Sequence, residues 1–248
     1  VAYKLCAQLQ GWGFKEAEIS QADLTVSVDD ILMQVDENTR LVFLANPNNP
    51  TGAFVSADDI DRLATVLKSK NILLALDYAY WEYVDDTAVP DPMEVFRKHE
   101  NVLILRTFSK IYGLGGLRVV YMVARAEIAA FVERARQPFN VSSLALSGAV
   151  AALDDLEHVR KSVVLNRQGK AWLVEQLSQF DVRVFPSQGN FLLVDAKQDF
   201  KELNTEFLKR GVILRPMANY GFPTFFRVTV GLEIENKKFI AALNEVLF

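Results

Sequence analysis

Three short polar stretches interrupt the apolar runs of this 248-residue chain, and they carry side-chain types from which catalytic sites are assembled. Asn46-Pro-Asn-Asn-Pro-Thr-Gly52 follows Leu41-Val-Phe-Leu44. Asp77-Tyr-Ala-Tyr80 follows Ile72-Leu-Leu-Ala-Leu76, and Thr107-Phe-Ser-Lys110 follows Val102-Leu-Ile-Leu105. A lysine amine can serve as a nucleophile or move protons, a carboxylate favours a neighbouring cation, and hydroxyls with an arginine fork can hold an anion. Each stretch also has an ordinary explanation. Asn-Pro and Thr-Gly pairs mark turns, and an Asp at a strand end is commonly a cap. Tyr80 can pack with a wet hydroxyl, Lys110 can face solvent, and Ser109 can cap a turn.

The elements around these stretches decide whether they meet. Continuous apolar runs suit strands covered on both faces of a parallel sheet. Helical segments separate them: 57–69 carries Ile60, Leu63, Ala64 and Leu67 on one face behind an N-cap at Ser56, and a shorter helix lies near 92–98. The alternation predicts an α/β architecture with right-handed crossovers, in which the three polar stretches converge on one rim, beyond the carboxyl ends of the strands. Arg118–Ala124 reads as a further strand. The loop 107–117 has no room for a crossover helix, so that strand is expected to be antiparallel. Upstream, Val1, Leu5 and Leu9 recur at helical spacing, 14–19 reads as a short strand, and Val28, Ile31, Leu32 and Val35 as a helix. Helices are expected at 125–136, 142–154 and 157–179, followed by strands at 183–185, 191–195, 212–215 and 225–230 and helices at 199–210 and 235–247. The division drawn is a large unit 1–155 and a smaller C-terminal α+β unit 156–248.

Half of the residues are apolar and 23% are charged, the balance of a globular protein with a sizeable core. Lys and Arg total 27 against 31 Asp and Glu, a net charge of −4, so no basic footprint for nucleic acid is present. One cysteine, Cys6, and two histidines argue against a disulfide framework and against a thiolate or imidazole metal site. No apolar run is long enough for a membrane span, and a reduced cytoplasmic setting is the default expectation.

Taken together, Asn-Pro-Thr-Gly, Asp-x-x-Tyr, Ser-Lys with Arg118 eight residues on, and Phe225-Phe-Arg-Val-Thr-Val-Gly231 resemble the fold-type I pyridoxal-phosphate aminotransferases. The narrower resemblance is to histidinol-phosphate aminotransferases. It is carried by the seven-residue Asn46–Gly52 form, by 108–118 (Phe-Ser-Lys-x-x-Gly-Leu-x-Gly-Leu-Arg) and by 215–223 (Arg-Pro-Met-x-x-Tyr-Gly-x-Pro). The resemblance implies a large sheet-and-helix cofactor domain, a small C-terminal domain and pyridoxal 5'-phosphate as cofactor. It makes Lys110 the lysine that binds the cofactor aldehyde and shuttles the proton. Asp77 is then the carboxylate that keeps the ring nitrogen protonated, and Asn49 and Tyr80 are the donors to the ring's phenolic oxygen. Ser109 and Arg118, with Thr107 as a third donor, match the phosphate contacts. Arg227 matches the arginine that binds the substrate's α-carboxylate or, for an amino alcohol, orients the polar substrate; Asn190 matches a position near the substrate, and Arg215 and Tyr220 lie in the segment that distinguishes the narrower group. Asn46 is assigned to the loop and not to the cofactor.

The activity implied is transamination between histidinol phosphate and 2-oxoglutarate in histidine biosynthesis, extending to aromatic amino acids, by a homodimer. Two other readings stand beside it: a decarboxylase of a phosphorylated amino acid using the same cofactor, and a cofactor-binding regulatory domain of a transcription factor. Members of the resembled family carry a further segment ahead of the position matching Val1, so the sequence reads as part of a longer enzyme.

Overall fold

The computed structural model describes residues 2–20 and 22–247. Its first sheet contains β1 (Leu41–Ala45), β2 (Leu73–Asp77), β3 (Val102–Thr107) and β4 (Val120–Val123), side by side in that order. The first three strands are parallel and β4 runs antiparallel to β3, as the short 107–117 connection requires. Helices α1 (Ala2–Leu9) and α2 (Val28–Gln34) precede β1. Helix α3 (Ala57–Ser69) joins β1 to β2, and α4 (Pro92–Lys98) joins β2 to β3.

Local chemistry starts these helices where the sequence says. Ser56 accepts a hydrogen bond from the Asp59 amide, and Asp58 and Asp59 complement the helix dipole in the first turn of α3. Asp91 caps α4, whose first residue is Pro92, a position where no amide hydrogen is missed. Leu44, Leu74, Leu76, Val102 and Ile104 point to one face of the sheet and pack with Ile31, Ile60, Leu63, Leu67 and Val95 of the helices. The other face is closed over Ala75 and Leu103 but not at its margins. Phe43 remains 42% exposed and Val120 65% exposed, so cover on both faces does not extend to β1 and β4.

After β4 come α5 (Ala126–Ala135), α6 (Ser143–Asp154) and the long α7 (Leu156–Leu177). The second sheet is wholly antiparallel and contains β5 (Arg183–Phe185), β6 (Phe191–Asp195), β7 (Arg215–Pro216) and β8 (Phe225–Thr229), in the order β5-β6-β8-β7. Helices α8 (Phe200–Lys209) and α9 (Glu233–Leu247) pack on it. Phe200 stacks on Phe226 at 4.6 Å between centroids, and Phe207 and Phe239 complete the ring cluster. Leu173 and Leu177 bring the far end of α7 into the same core.

Two expected strands differ. Residues 14–19 form no strand: three of the six are charged, and no neighbouring strand offers them a ladder. Ile19 instead packs beside Leu24, Phe185 and Met217 of the second sheet's margin, behind a turn closed by Ser20 and Thr25. The strand expected at 212–215 shrinks to Arg215–Pro216, because Val212 and Leu214 turn into the phenylalanine core as they leave α8. Among the described residues no helix is long and apolar enough to cross a membrane.

Candidate active site

The register of the parallel strands sets Ala45 beside Asp77 and Asp77 beside Leu105, so the three polar stretches leave the sheet on one rim. In the first of them Asn46 is wholly buried. Its side chain closes the loop by accepting from the Val55 amide at 2.8 Å and donating to the Val55 carbonyl at 3.1 Å. Asn46 therefore holds the loop closed. Asn48 and Thr51 tie off the turn, and Asn49 is left at the rim.

Asn49 joins the two sheets. Its Nδ2 donates to the Tyr80 hydroxyl at 3.2 Å, while its Oδ1 accepts from Arg227 Nη1 of β8 at 2.5 Å. The Arg227 guanidinium lies 5.0 Å from the centroid of Phe191, and the Phe191 ring meets Tyr80 edge-on at 5.2 Å. Arg227 Nε is buried without a hydrogen-bond partner. Across the β7–β8 pair, Arg215 stands directly opposite Arg227 on the same face, and neither forms an ion pair with a described carboxylate. Like charges at such a position repel, and an anion between them would relieve the repulsion.

Lys110 follows β3. Its Nζ sits 5.2 Å from the Tyr80 ring centroid, and no described carboxylate pairs with it. The preceding turn is organised by Thr107, whose hydroxyl accepts from the Ser109 amide at 3.0 Å. Arg118 has a left-handed backbone (φ 56°) and an exposed side chain whose Nη1 donates to the Gly115 carbonyl at 2.8 Å. This bond closes the 115–118 turn, in which Gly115 lies against the Ser109 carbonyl.

Asp77 is held at both oxygens. Oδ1 accepts from the Ala79 amide at 3.0 Å, and Oδ2 accepts from the Tyr3 hydroxyl at 2.6 Å. Burial first, and the Asp77 charge second, push the Tyr3 phenol well above its ordinary value, so it remains a donor. Tyr3 was not among the sequence candidates. It lies off the Val1, Leu5, Leu9 stripe and carries no motif. Phe191 carries no sequence signal beyond its apolar run.

The loop 187–190 is pressed against the same rim. Gly52 has φ +75°, and a β-carbon there would lie 2.2 Å from Ser187 Oγ, so the close approach demands glycine. Lys170 donates to the Ser187 carbonyl at 2.7 Å, and its burial lowers the amine's proton affinity. Gln188 accepts from the Asp85 amide at 2.9 Å. Asn190 is held by its carbonyl, which accepts from the Val230 amide at 2.9 Å, with its side chain half-buried nearby. Tyr220 is placed differently: it packs against the Leu24, Phe185 and Met217 cluster, and no hydrogen bond or ring contact among the described residues joins it to Asn49 or Lys110.

The model of the aminotransferase class I and II family matches residues 1–243. The chain belongs to this family. Among its relatives, histidinol-phosphate aminotransferase 2 of Pseudomonas aeruginosa is 44% identical over 220 residues, covering 89% of this chain and 59% of that protein. Histidinol-phosphate aminotransferase of an Anaeromyxobacter species is 42% identical over all 248 residues and 68% of its own length. The solved histidinol-phosphate aminotransferase of Sinorhizobium meliloti, in complex with pyridoxal-5'-phosphate, superposes with a TM-score of 0.90 at 25% identity, covering 99% of this chain and 67% of that one. The chain thus spans about three fifths of the length of several curated aminotransferases it matches.

Proposed function

We propose that this chain is the catalytic-lysine portion of a pyridoxal-phosphate aminotransferase that exchanges an amino group between histidinol phosphate and 2-oxoglutarate. Identities of 41–44% to histidinol-phosphate aminotransferases support histidinol phosphate as the amino donor. The observation that carries the reading is the convergence of Lys110, Tyr80, Asn49 and Arg227 on one rim, from four separate elements.

The residues present fit the cofactor. Lys110 and Arg118 have no described carboxylate partner, and Arg227 Nε is an orphaned buried donor. Bound there, pyridoxal phosphate would supply an electron sink for the substrate's α carbon. Lys110 would hold the aldehyde carbon and, once freed, carry a proton on Nζ. Asp77 would keep the ring nitrogen protonated. Asn49 and Tyr80 would hold the phenolic oxygen, and Thr107, Ser109 and Arg118 the phosphate. Arg227 and Arg215 would take the anionic groups of the two substrates, with Asn190 beside them; Tyr220 would act from the neighbouring cluster. Aromatic amino acids belong to the same proposal as further donors, and so do a homodimeric state and a cytoplasmic setting. The division into 1–155 and 156–248 is supported by two sheets with separate core clusters.

The test is to express the complete reading frame, reduce it with borohydride in the presence of pyridoxal phosphate, and map the modified lysine. The expected label is on Lys110, and a label elsewhere refutes the site. Glutamate dehydrogenase-coupled assays with histidinol phosphate and 2-oxoglutarate should then follow glutamate formation. With a phosphorylated amino acid in place of histidinol phosphate, release of carbon dioxide without glutamate formation would replace transamination by decarboxylation.

A further inference from the structure

We propose that Tyr3 is a positioning residue for Asp77, fixing the plane in which the carboxylate meets the ring nitrogen of the cofactor; this rests on the role given to Asp77 above. The register Phe43 with Ala75 and Ala45 with Asp77, together with strand alternation, places Phe43 and Asp77 on the same face of the first sheet. Tyr3 lies on that face. Its ring stacks on Phe43 at 4.7 Å between centroids with planes 10° apart, and its hydroxyl reaches Asp77 Oδ2 at 2.6 Å.

A carboxylate held by one donor keeps freedom to rotate about its last bond. Asp77 has two donors on different oxygens, the Ala79 amide on Oδ1 and the Tyr3 phenol on Oδ2. The Ala79 bond comes from its own turn and sets where the group begins. The Tyr3 bond comes from a helix 74 positions earlier and sets its orientation. Because the phenol is half-buried and faces a negative charge, it keeps its proton and remains a donor throughout the working pH range. Each carboxylate oxygen has a second lone pair, so a ring N–H can still be accepted while Tyr3 is in place.

Tyr3→Phe isolates the hydroxyl, since the phenylalanine ring can keep the stack on Phe43. The full-length protein, Tyr3→Phe, Asp77→Asn and the double variant form a cycle read by pyridoxal phosphate dissociation constant and by the pH midpoint of the bound cofactor's visible absorption. Losing one hydrogen bond to a charged group should weaken cofactor binding about tenfold in the Asp77 background. The midpoint should move by about half a pH unit or more. In the Asp77→Asn background Tyr3→Phe should change affinity less than about twofold and leave the midpoint in place. Unchanged affinity and midpoint in Tyr3→Phe, or an equal effect in both backgrounds, would overturn the proposal, the second result making Tyr3 only an anchor for α1. The infrared carboxylate stretch of Asp77 in cofactor-free protein, identified by its loss in Asp77→Asn, gives a reading independent of function. It should shift in Tyr3→Phe, and an unmoved band refutes the contact. If the parent protein binds no pyridoxal phosphate, the proposed function falls while the infrared band still decides the role of Tyr3.

Discussion

The rim of the first sheet and the core of the second treat their side chains in opposite ways. Around β6 and β8, Phe200, Phe207, Phe226 and Phe239 satisfy one another, and almost nothing is left over. Where the ends of β1, β2 and β3 meet the opposite face of β7 and β8, the side chains are left incomplete: an amine without a counter-ion after β3, and on β7 and β8 two arginines facing each other and a buried guanidinium nitrogen with no acceptor. Burial of aromatic surface yields stability, whereas unspent polar groups yield binding capacity, and a single position rarely supplies both.

Substitutions in the two regions should therefore separate activity from stability. The largest expected effect is at Lys110. Lys110→Ala should reduce transamination by roughly 10⁴-fold or more, measured with saturating histidinol phosphate, with thermal unfolding of the cofactor-free protein little changed. Comparable losses of both would show that Lys110 also holds the fold and would blur the contrast. Phe226→Ala should do the reverse, costing about 3–5 kcal/mol by chemical denaturation, because the ring is fully buried between Phe200 and Phe239. A cost under about 1 kcal/mol would mean that the second core is not closed. The smallest effect concerns an exposed group outside both regions. Hydrogen bonds from Lys15 and Thr39 hold the Asp36 carboxyl down at about 2. Its folded value lies below its unfolded one, so its contribution is present above about pH 4 and disappears as pH falls toward 2. Asp36→Asn should flatten the stability curve slightly over that window, and a curve as steep as the parent's would assign the acid limb to other carboxylates.

The features legible in the sequence were those set by neighbours in the chain. Apolar runs ending in polar stretches placed Asn49, Asp77, Tyr80 and Lys110 at strand ends, and the brevity of 107–117 predicted the antiparallel β4. What was not legible depended on partners far away. Tyr3 finds Asp77 across 74 positions and Arg227 finds Asn49 across 178, and neither side chain advertises its partner locally. The missing strand at 14–19 has the same origin, since a ladder needs a neighbour and the pattern of one segment does not supply it.

Asn49 has one further consequence. A guanidinium can only donate, so the oxygen of the Asn49 amide must face Arg227, and its nitrogen must then face Tyr80. Arg227 thereby dictates the polarity of a phenol it never touches. Because Tyr80 is the acceptor in that chain, its own hydrogen is unspent and free to be handed to whatever oxygen comes to rest between Asn49 and Lys110.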